Sequence, residues 1–219
     1  MRATLPVTLA LGAALAALFG GVSRAVAATM GPLQQVQQST DKLLAILKDP
    51  ALKAPERKAE RREKICAAIN ERFNFADMSQ RTLARHWASR TPAEREEYTQ
   101  LFTELLRRTY LSKIEGYAGE QVQYKGERIE GNYARVEVLI VTTKNIEVPL
   151  EYSLKKYDSE WLIYDVAVEG VRLVNNYRTQ FASMLNSMPY PKFIEKLRAK
   201  IAEMDTDEAA PPVVKGNAL

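Results

Sequence analysis

The chain has 219 residues, 46% of them hydrophobic and 26% charged, a composition typical of globular proteins that excludes a disordered or fibrous chain. Its formal net charge of +4 gives no support to a nucleic-acid partner, because Arg2 and Arg24 lie in a segment that we expect to be removed. With one cysteine, Cys66, and one histidine, His86, the sequence excludes an intramolecular disulfide and a histidine or thiolate metal cluster, so we predict no metal and no cofactor.

The N-terminal segment has the layout of a secretory signal peptide. A basic Arg2 precedes an apolar run from Leu5 to Phe19, and small residues follow. The run is shorter than the roughly 18 residues of a membrane-spanning helix, so we expect cleavage near Ala27 or Ala28 and export of the mature chain. The predicted organisation is a signal peptide at residues 1–28, one domain at residues 29–205 and a disordered, polar tail at residues 206–219.

Helical patterns occupy the first part of the predicted domain. Apolar residues recur at helical spacing from Leu33 to Leu47, and a second helix follows Pro55, where mixed charges give way to an apolar stripe. A third, short helix is predicted to begin at Asp77, with Gln80 as its capping partner. These segments predict three helices before residue 90.

The clearest helix start is the sequence from Thr91 to Glu94. Threonine as the N-cap, Pro92 in the first turn and glutamate at the third helical position together satisfy the free N–H groups of a helix start. Apolar residues at helical spacing follow as far as Tyr110. This pattern predicts a long helix with a capping box.

Four strand patterns follow Gly119 and are separated by short turn-rich breaks, which predicts an antiparallel meander. Pro149 cannot donate to a strand ladder and indicates an edge strand or a bulge. In the last strand, Trp161 and Ile163 alternate with Val166, so apolar residues stand at both parities and both faces of the sheet should be dry there. Helices on both faces, or an apolar cavity on one, satisfy this pattern. The predicted strands cover residues 121–129, 133–141, 146–154 and 161–169.

Two further helical segments, around Phe181 and Phe193, complete the chain. The predicted fold class is therefore α+β, with a curved antiparallel sheet of about four strands packed against N- and C-terminal helices.

Catalytic combinations are scarce in this sequence. His86 and Cys66 fit structural roles, and Asp165 and Glu169 are too far apart along one strand, roughly 13 Å, for a pair of acid and base carboxylates. We expect no enzyme.

Three segments resemble the MlaC family, also called the toluene-tolerance family. They are residues 72–87, 91–110 and 161–181, and the last, with Glu169-Gly170 followed by Asn176-Tyr177-Arg178, is the most specific. The resemblance implies a soluble periplasmic phospholipid carrier of NTF2-like fold, which holds acyl chains in an apolar cavity between sheet and helices. It also implies partners: an outer-membrane lipoprotein complex and the inner-membrane Mla ABC transporter complex, which together maintain outer-membrane lipid asymmetry. Arg172 departs from the small serine expected in this family.

The residues predicted to contact lipid are apolar or aromatic residues of the sheet and of two helices, although alternation fits core packing equally well for each. The alternatives are a hopanoid-associated lipid-binding protein of the same fold, a small-hydrophobe isomerase or dehydratase on a cone-shaped fold, and an interaction module without a cavity. The predicted lipid-binding residues are Leu105, Leu106, Tyr110, Val136, Val138, Ile140, Val148, Leu150, Tyr152, Trp161, Ile163 and Tyr177.

Overall fold

The computed structural model describes residues 30–209, so the predicted signal peptide and residues 210–219 lie outside the described part of the chain. Within it the chain forms an α+β domain in which helices precede and follow one antiparallel sheet. The helices are α1 (Pro32–Lys48), α2 (Lys58–Asn70), α3 (Phe75–Leu83), α4 (Pro92–Glu115), α5 (Leu173–Ser187) and α6 (Tyr190–Ala209). The strands are β1 (Gln121–Glu130), β2 (Tyr133–Val141), β3 (Glu147–Tyr157), β4 (Glu160–Val168) and β5 (Val171–Arg172).

The last helix continues to Ala209. One predicted helix start needs correction. Helix α3 begins earlier than expected, because Asn74 and not Asp77 is its cap: the Asn74 side-chain oxygen accepts from the Asp77 N–H at 2.9 Å. The cause is tertiary, since Asn74 is fixed beside β4 by its own N–H, which donates to the carbonyl of Ile163 at 2.8 Å.

The capping box at the start of α4 is confirmed. The Thr91 N–H donates to the Glu94 carboxylate at 2.8 Å, and the Glu94 N–H donates to the Thr91 hydroxyl at 3.2 Å. The bond from Thr91 keeps the pKa of the Glu94 carboxyl below its ordinary value. Because the folded-state pKa is lowered, this contribution to stability is complete at neutral pH and is lost as the pH falls through that lowered pKa.

We expect Thr91→Ala to lower the free energy of unfolding by about 1 kcal/mol, since it removes one half of this reciprocal pair. Denaturant unfolding at neutral pH measures the change. Thr91→Asn is the matched control, because asparagine also caps helices and should retain most of the stability. Equal losses in both variants would show that the side-chain cap does not stabilise α4.

The sheet is a meander in the order β1-β2-β3-β4-β5, and every neighbouring pair is antiparallel. The four predicted strands are confirmed, and the two-residue β5 is added by a tight turn in which Glu169 and Gly170 have φ of 50° and 81°. Pro149 lies on the interior strand β3 and outside its bulge, so the edge or bulge prediction is wrong. The Pro149 carbonyl accepts from the N–H of Glu169, which lies just past the end of β4. The side of Pro149 that lacks an N–H therefore faces the β4–β5 turn and not a strand.

A β-bulge on β4 explains why this strand is apolar at both parities. Asp165 pairs with Ser153 and Ile163 pairs with Leu154, so Tyr164 is an extra residue with no partner on β3. An extra residue reverses the alternation of the side chains that follow it. Ile163, before the bulge, and Val166, after it, therefore point to the same face of the sheet.

The second face of β4 is covered by a polar network around Arg172. Its guanidinium donates to the Ser153 hydroxyl at 3.0 Å, lies 3.6 Å from Asp165 and forms an ion pair with Glu151. The Asp165 carboxylate also accepts from the Val174 N–H at 2.9 Å, which attaches the first turn of α5 to the sheet. The arginine that departs from the family pattern thus joins β5 to β3 across this face.

The buried apolar residues form separate clusters. The helical core joins α3, α4, α5 and α6 around Tyr98, Phe102 and Phe193. The sheet core lies where Val36 of α1 packs on β2, β3 and β4, and a third cluster joins α1, α2 and the end of α4. Phe73 packs against both the helical core and the sheet core, so the two meet where the chain runs beside β4.

Candidate functional site

One end of the inner sheet face is apolar but only partly covered by protein. At the other end of the same face, the residues of the sheet core are fully covered, with Val136 and Leu154 at 0% exposure. Towards the turns that join β2 to β3 and β4 to β5, the side chains of this face are partly exposed. We call this region the open apolar face; its residues are Val122, Tyr124, Ile140, Val148, Leu150, Tyr152 and Val166.

The strand register shows that these residues form one continuous surface. Ile140 on β2 lies opposite Val122 on β1 and opposite Val148 on β3. Tyr152 on β3 lies opposite Val166 on β4. Because directly opposed residues lie on one face of a sheet, the open apolar face spans four strands.

Exposed apolar residues extend this surface to the end of the sheet. Ile146 is 56% exposed beside the β2–β3 turn, and Val168 and Val171, which pair across the β4–β5 turn, are 37% and 62% exposed. Large aliphatic side chains grouped at one exposed place mark interaction or ligand surfaces more often than scattered ones do. The open apolar face therefore has an apolar rim.

The open apolar face carries no charge at neutral pH. Burial raises the pKa of the Tyr152 phenol to about 12, and the nearby Tyr124 adds to the effect. Burial also raises the pKa of Tyr124, whose hydroxyl is close to the side chain of Thr40 in α1. Two neutral phenols on an aliphatic surface suit an uncharged, flexible ligand, and neither is tuned for proton transfer near pH 7.

The structure distributes the predicted lipid-binding residues over three places. Ile140, Val148, Leu150 and Tyr152 lie on the open apolar face. The other predicted sheet residues are buried at 5% exposure or less in the sheet core: Val136, Val138, Trp161 and Ile163.

The predicted helical residues lie in the helical core. Leu105 and Leu106 are 6% and 7% exposed there, and Tyr110 and Tyr177 pack against its edge. The ring of Tyr177 lies 5.3 Å from that of Phe102 in an edge-to-face contact. These side chains thus pack mainly against other residues of the helical core and not against the sheet.

Sequence reasoning missed Val122, Tyr124 and Val166. The first two alternate with polar residues in β1, so the signal was present in the sequence. Val166 has the parity opposite to Ile163, and only the bulge brings both to one face. Within residues 30–209 no group of three histidine, cysteine or acidic residues is placed to hold a metal, and no described helix is long and apolar enough to cross a membrane.

Comparisons with known proteins agree on one family. The model of the family described as MlaC protein matches residues 37–199. The intermembrane phospholipid transport system binding protein MlaC of Haemophilus influenzae is 21% identical over an alignment 187 residues long that covers 83% of this chain and 87% of that protein. A phospholipid-binding protein of Ralstonia solanacearum, solved in complex with a phospholipid, superposes with a TM-score of 0.71 at 23% identity, over 80% of this chain and 99% of that one. This likeness shows a shared fold.

Proposed function

Because the chain belongs to the MlaC family, we propose that it is a periplasmic lipid carrier whose open apolar face holds the acyl chains of a phospholipid. The relatives it matches are named for phospholipid binding and transport. The observation that carries the proposal is the position of Ile140, Val148, Leu150 and Tyr152, which form a continuous apolar surface that the protein leaves partly uncovered. Acyl chains complete the cover of this surface.

The energetics of lipid transfer favour such a surface. A lipid with two tails has roughly thirty methylenes, and at about 0.8 kcal/mol each some 24 kcal/mol opposes its passage through water. A carrier must therefore offer the lipid an apolar environment almost as favourable as a bilayer. It must not bind the lipid more tightly than the acceptor membrane does, since a lipid held too tightly is never released. Non-directional contacts from aliphatic side chains meet both requirements.

The same family membership supports a proposal for the partners and the location of the protein. We propose that the predicted signal peptide directs the chain to the periplasm, where it shuttles lipid between an outer-membrane lipoprotein complex and an inner-membrane Mla ABC transporter complex. The exposed rim of Ile146, Val168 and Val171 supports contact with such partners, because it continues the open apolar face to the surface. Lipid would leave and enter at this end of the sheet.

An enzymatic function fits the open apolar face less well, whereas a hopanoid as the alternative cargo fits its polarity equally. An isomerase or dehydratase needs a titratable group beside its substrate, and this face has only two phenols with raised pKa values. A hopanoid is as apolar as an acyl chain, so this alternative cargo differs in shape and not in polarity. Identification of the bound lipid separates the two cargoes.

A vesicle-transfer experiment tests the carrier function. Donor vesicles contain a fluorescent phospholipid with a quencher, and acceptor vesicles contain neither, so movement of lipid raises fluorescence. We expect the initial rate to increase in proportion to protein concentration. A rate equal to that of vesicles without protein, at every protein concentration, would contradict lipid carriage.

A further inference from the structure

A second concave site lies away from the open apolar face, between the 3₁₀ turn Ala84–His86 and helix α5. It is a cleft of about 610 Å³, within the range of small-molecule sites. Ala84, in its wall, has a φ of 47°, a conformation that costs a non-glycine residue free energy and often occurs beside binding sites. The polar side chains that line the cleft are Arg85, His86, Asn175, Arg178, Thr179, Ser183 and Asn186.

The cleft is basic. None of its lining residues is acidic, and neither Arg85 nor Arg178 has a carboxylate partner among residues 30–204, whose side chains the structure describes. Many other arginines of the chain form an ion pair with a carboxylate, for example Arg57 with Glu60 and Arg107 with Glu104. The two guanidinium groups therefore leave positive charge uncompensated at one place.

Neutral side chains hold the two arginines in position. The Arg85 guanidinium donates to the side-chain oxygen of Asn186 at 2.7 Å, across the cleft from the 3₁₀ turn to α5. The Arg178 guanidinium donates to the side-chain oxygen of Asn175 at 2.6 Å. An amide oxygen orients a guanidinium without neutralising it, and the remaining N–H groups stay available to a ligand. The site is thus partly preorganised for an anion.

His86 also suits an anion. Its Nε2 accepts from Arg85 at 3.3 Å, so a neutral imidazole carries its proton on Nδ1 and remains a donor. Burial, followed by the charges of Arg85 and Arg90, keeps the pKa of His86 below its ordinary value. Hydroxyl and amide groups of Ser183 and Asn186 add neutral donors to the lining.

We propose that this cleft binds a phosphate group. The planar fork of arginine matches two phosphate oxygens at once, and the amide and hydroxyl groups provide further donors. The phosphate comes either from a water-soluble lipid headgroup or from free phosphate. This site is separate from the open apolar face, so it does not depend on lipid carriage, and either proposal can fail alone.

Titration of the ¹⁵N-labelled protein with inorganic phosphate, followed by NMR at constant ionic strength, tests the proposal. We expect saturable shifts of the backbone amides of Arg85, His86 and the Arg178–Asn186 segment. The double substitution Arg85→Gln and Arg178→Gln should raise the dissociation constant at least ten-fold. The double substitution Arg128→Gln and Arg135→Gln is the matched control, because these arginines are 79% and 61% exposed on β1 and β2 and their loss also removes two charges without touching the cleft.

Shifts that do not saturate, or that spread evenly over the surface, overturn the proposal, as does an unchanged dissociation constant in a double variant whose spectrum is that of a folded protein. A parallel titration with glycerol 3-phosphate identifies the source. Tighter binding than that of inorganic phosphate supports a headgroup, and equal binding supports free phosphate.

Discussion

Val148→Asp is expected to remove bound lipid from the protein while leaving the domain folded. Val148 is partly exposed and belongs to none of the buried clusters, so its substitution removes little packing. A carboxylate at this position is hydrated when the face is open and must lose water when an acyl chain covers it, at a cost of several kcal/mol. We expect lipid occupancy to fall at least ten-fold, measured as the molar ratio of extracted lipid to protein, with a small change in thermal midpoint.

Two matched variants separate lipid binding from packing. Ile129→Asp places the same charge on a half-exposed aliphatic position at the far end of β1, and it should retain its lipid. Val138→Asp places the same charge on a side chain of the sheet core that is only 3% exposed, and this variant should unfold the domain. Full lipid occupancy in Val148→Asp, or loss of its folding transition, would show that the open apolar face is wrongly placed.

Phe102→Ala is expected to cause a large loss of stability. Phe102 has 0% exposure, and its ring lies 5.3 Å from Tyr177, 5.9 Å from Tyr98 and 6.0 Å from Phe181. Removal of a buried phenylalanine costs about 3–5 kcal/mol, because the lost burial and the remaining cavity both count. Denaturant unfolding measures this change.

Tyr133→Ala is the control for Phe102→Ala. Tyr133 is 44% exposed and has one neighbouring ring, Tyr164, at 6.1 Å, so its loss should cost far less. The lipid content per folded molecule should be normal in Phe102→Ala, since Phe102 lies in the helical core. A normal stability with a loss of lipid would instead assign this core to the lipid site, as the prediction for Leu105 and Tyr177 implies.

Local patterns in the sequence predicted local features well. The capping box of Thr91 and Glu94 depends on residues three positions apart, and the alternation of Val148, Leu150 and Tyr152 depends on a regular strand. Both features could be predicted from the sequence because neither depends on contacts with distant parts of the chain. The order of helical and strand patterns along the chain predicted the α+β fold with its curved antiparallel sheet, which the structure and the structural comparison confirm.

Features that depend on distant contacts were not predicted. The bulge at Tyr164 follows from the pairing of β3 with β4, and it reverses the parity of Val166. Val138 and Val148 look alike in the sequence, yet only Val138 is buried, because packing covers the sheet from one end. Helical spacing predicted a packed position for Leu105 but did not identify its cluster, which is built from α3, α4, α5 and α6 and not from the sheet.

Native mass spectrometry of the exported protein, purified without detergent, tests the central claim most directly. The same sample is extracted with organic solvent so that the lipid is identified. We predict one stoichiometric adduct of diacyl phospholipid mass, and a matching phospholipid in the extract; a polycyclic terpenoid in its place would assign the hopanoid cargo. A protein that shows only its apo mass, even after incubation with phospholipid vesicles, would contradict the proposal that the open apolar face carries lipid.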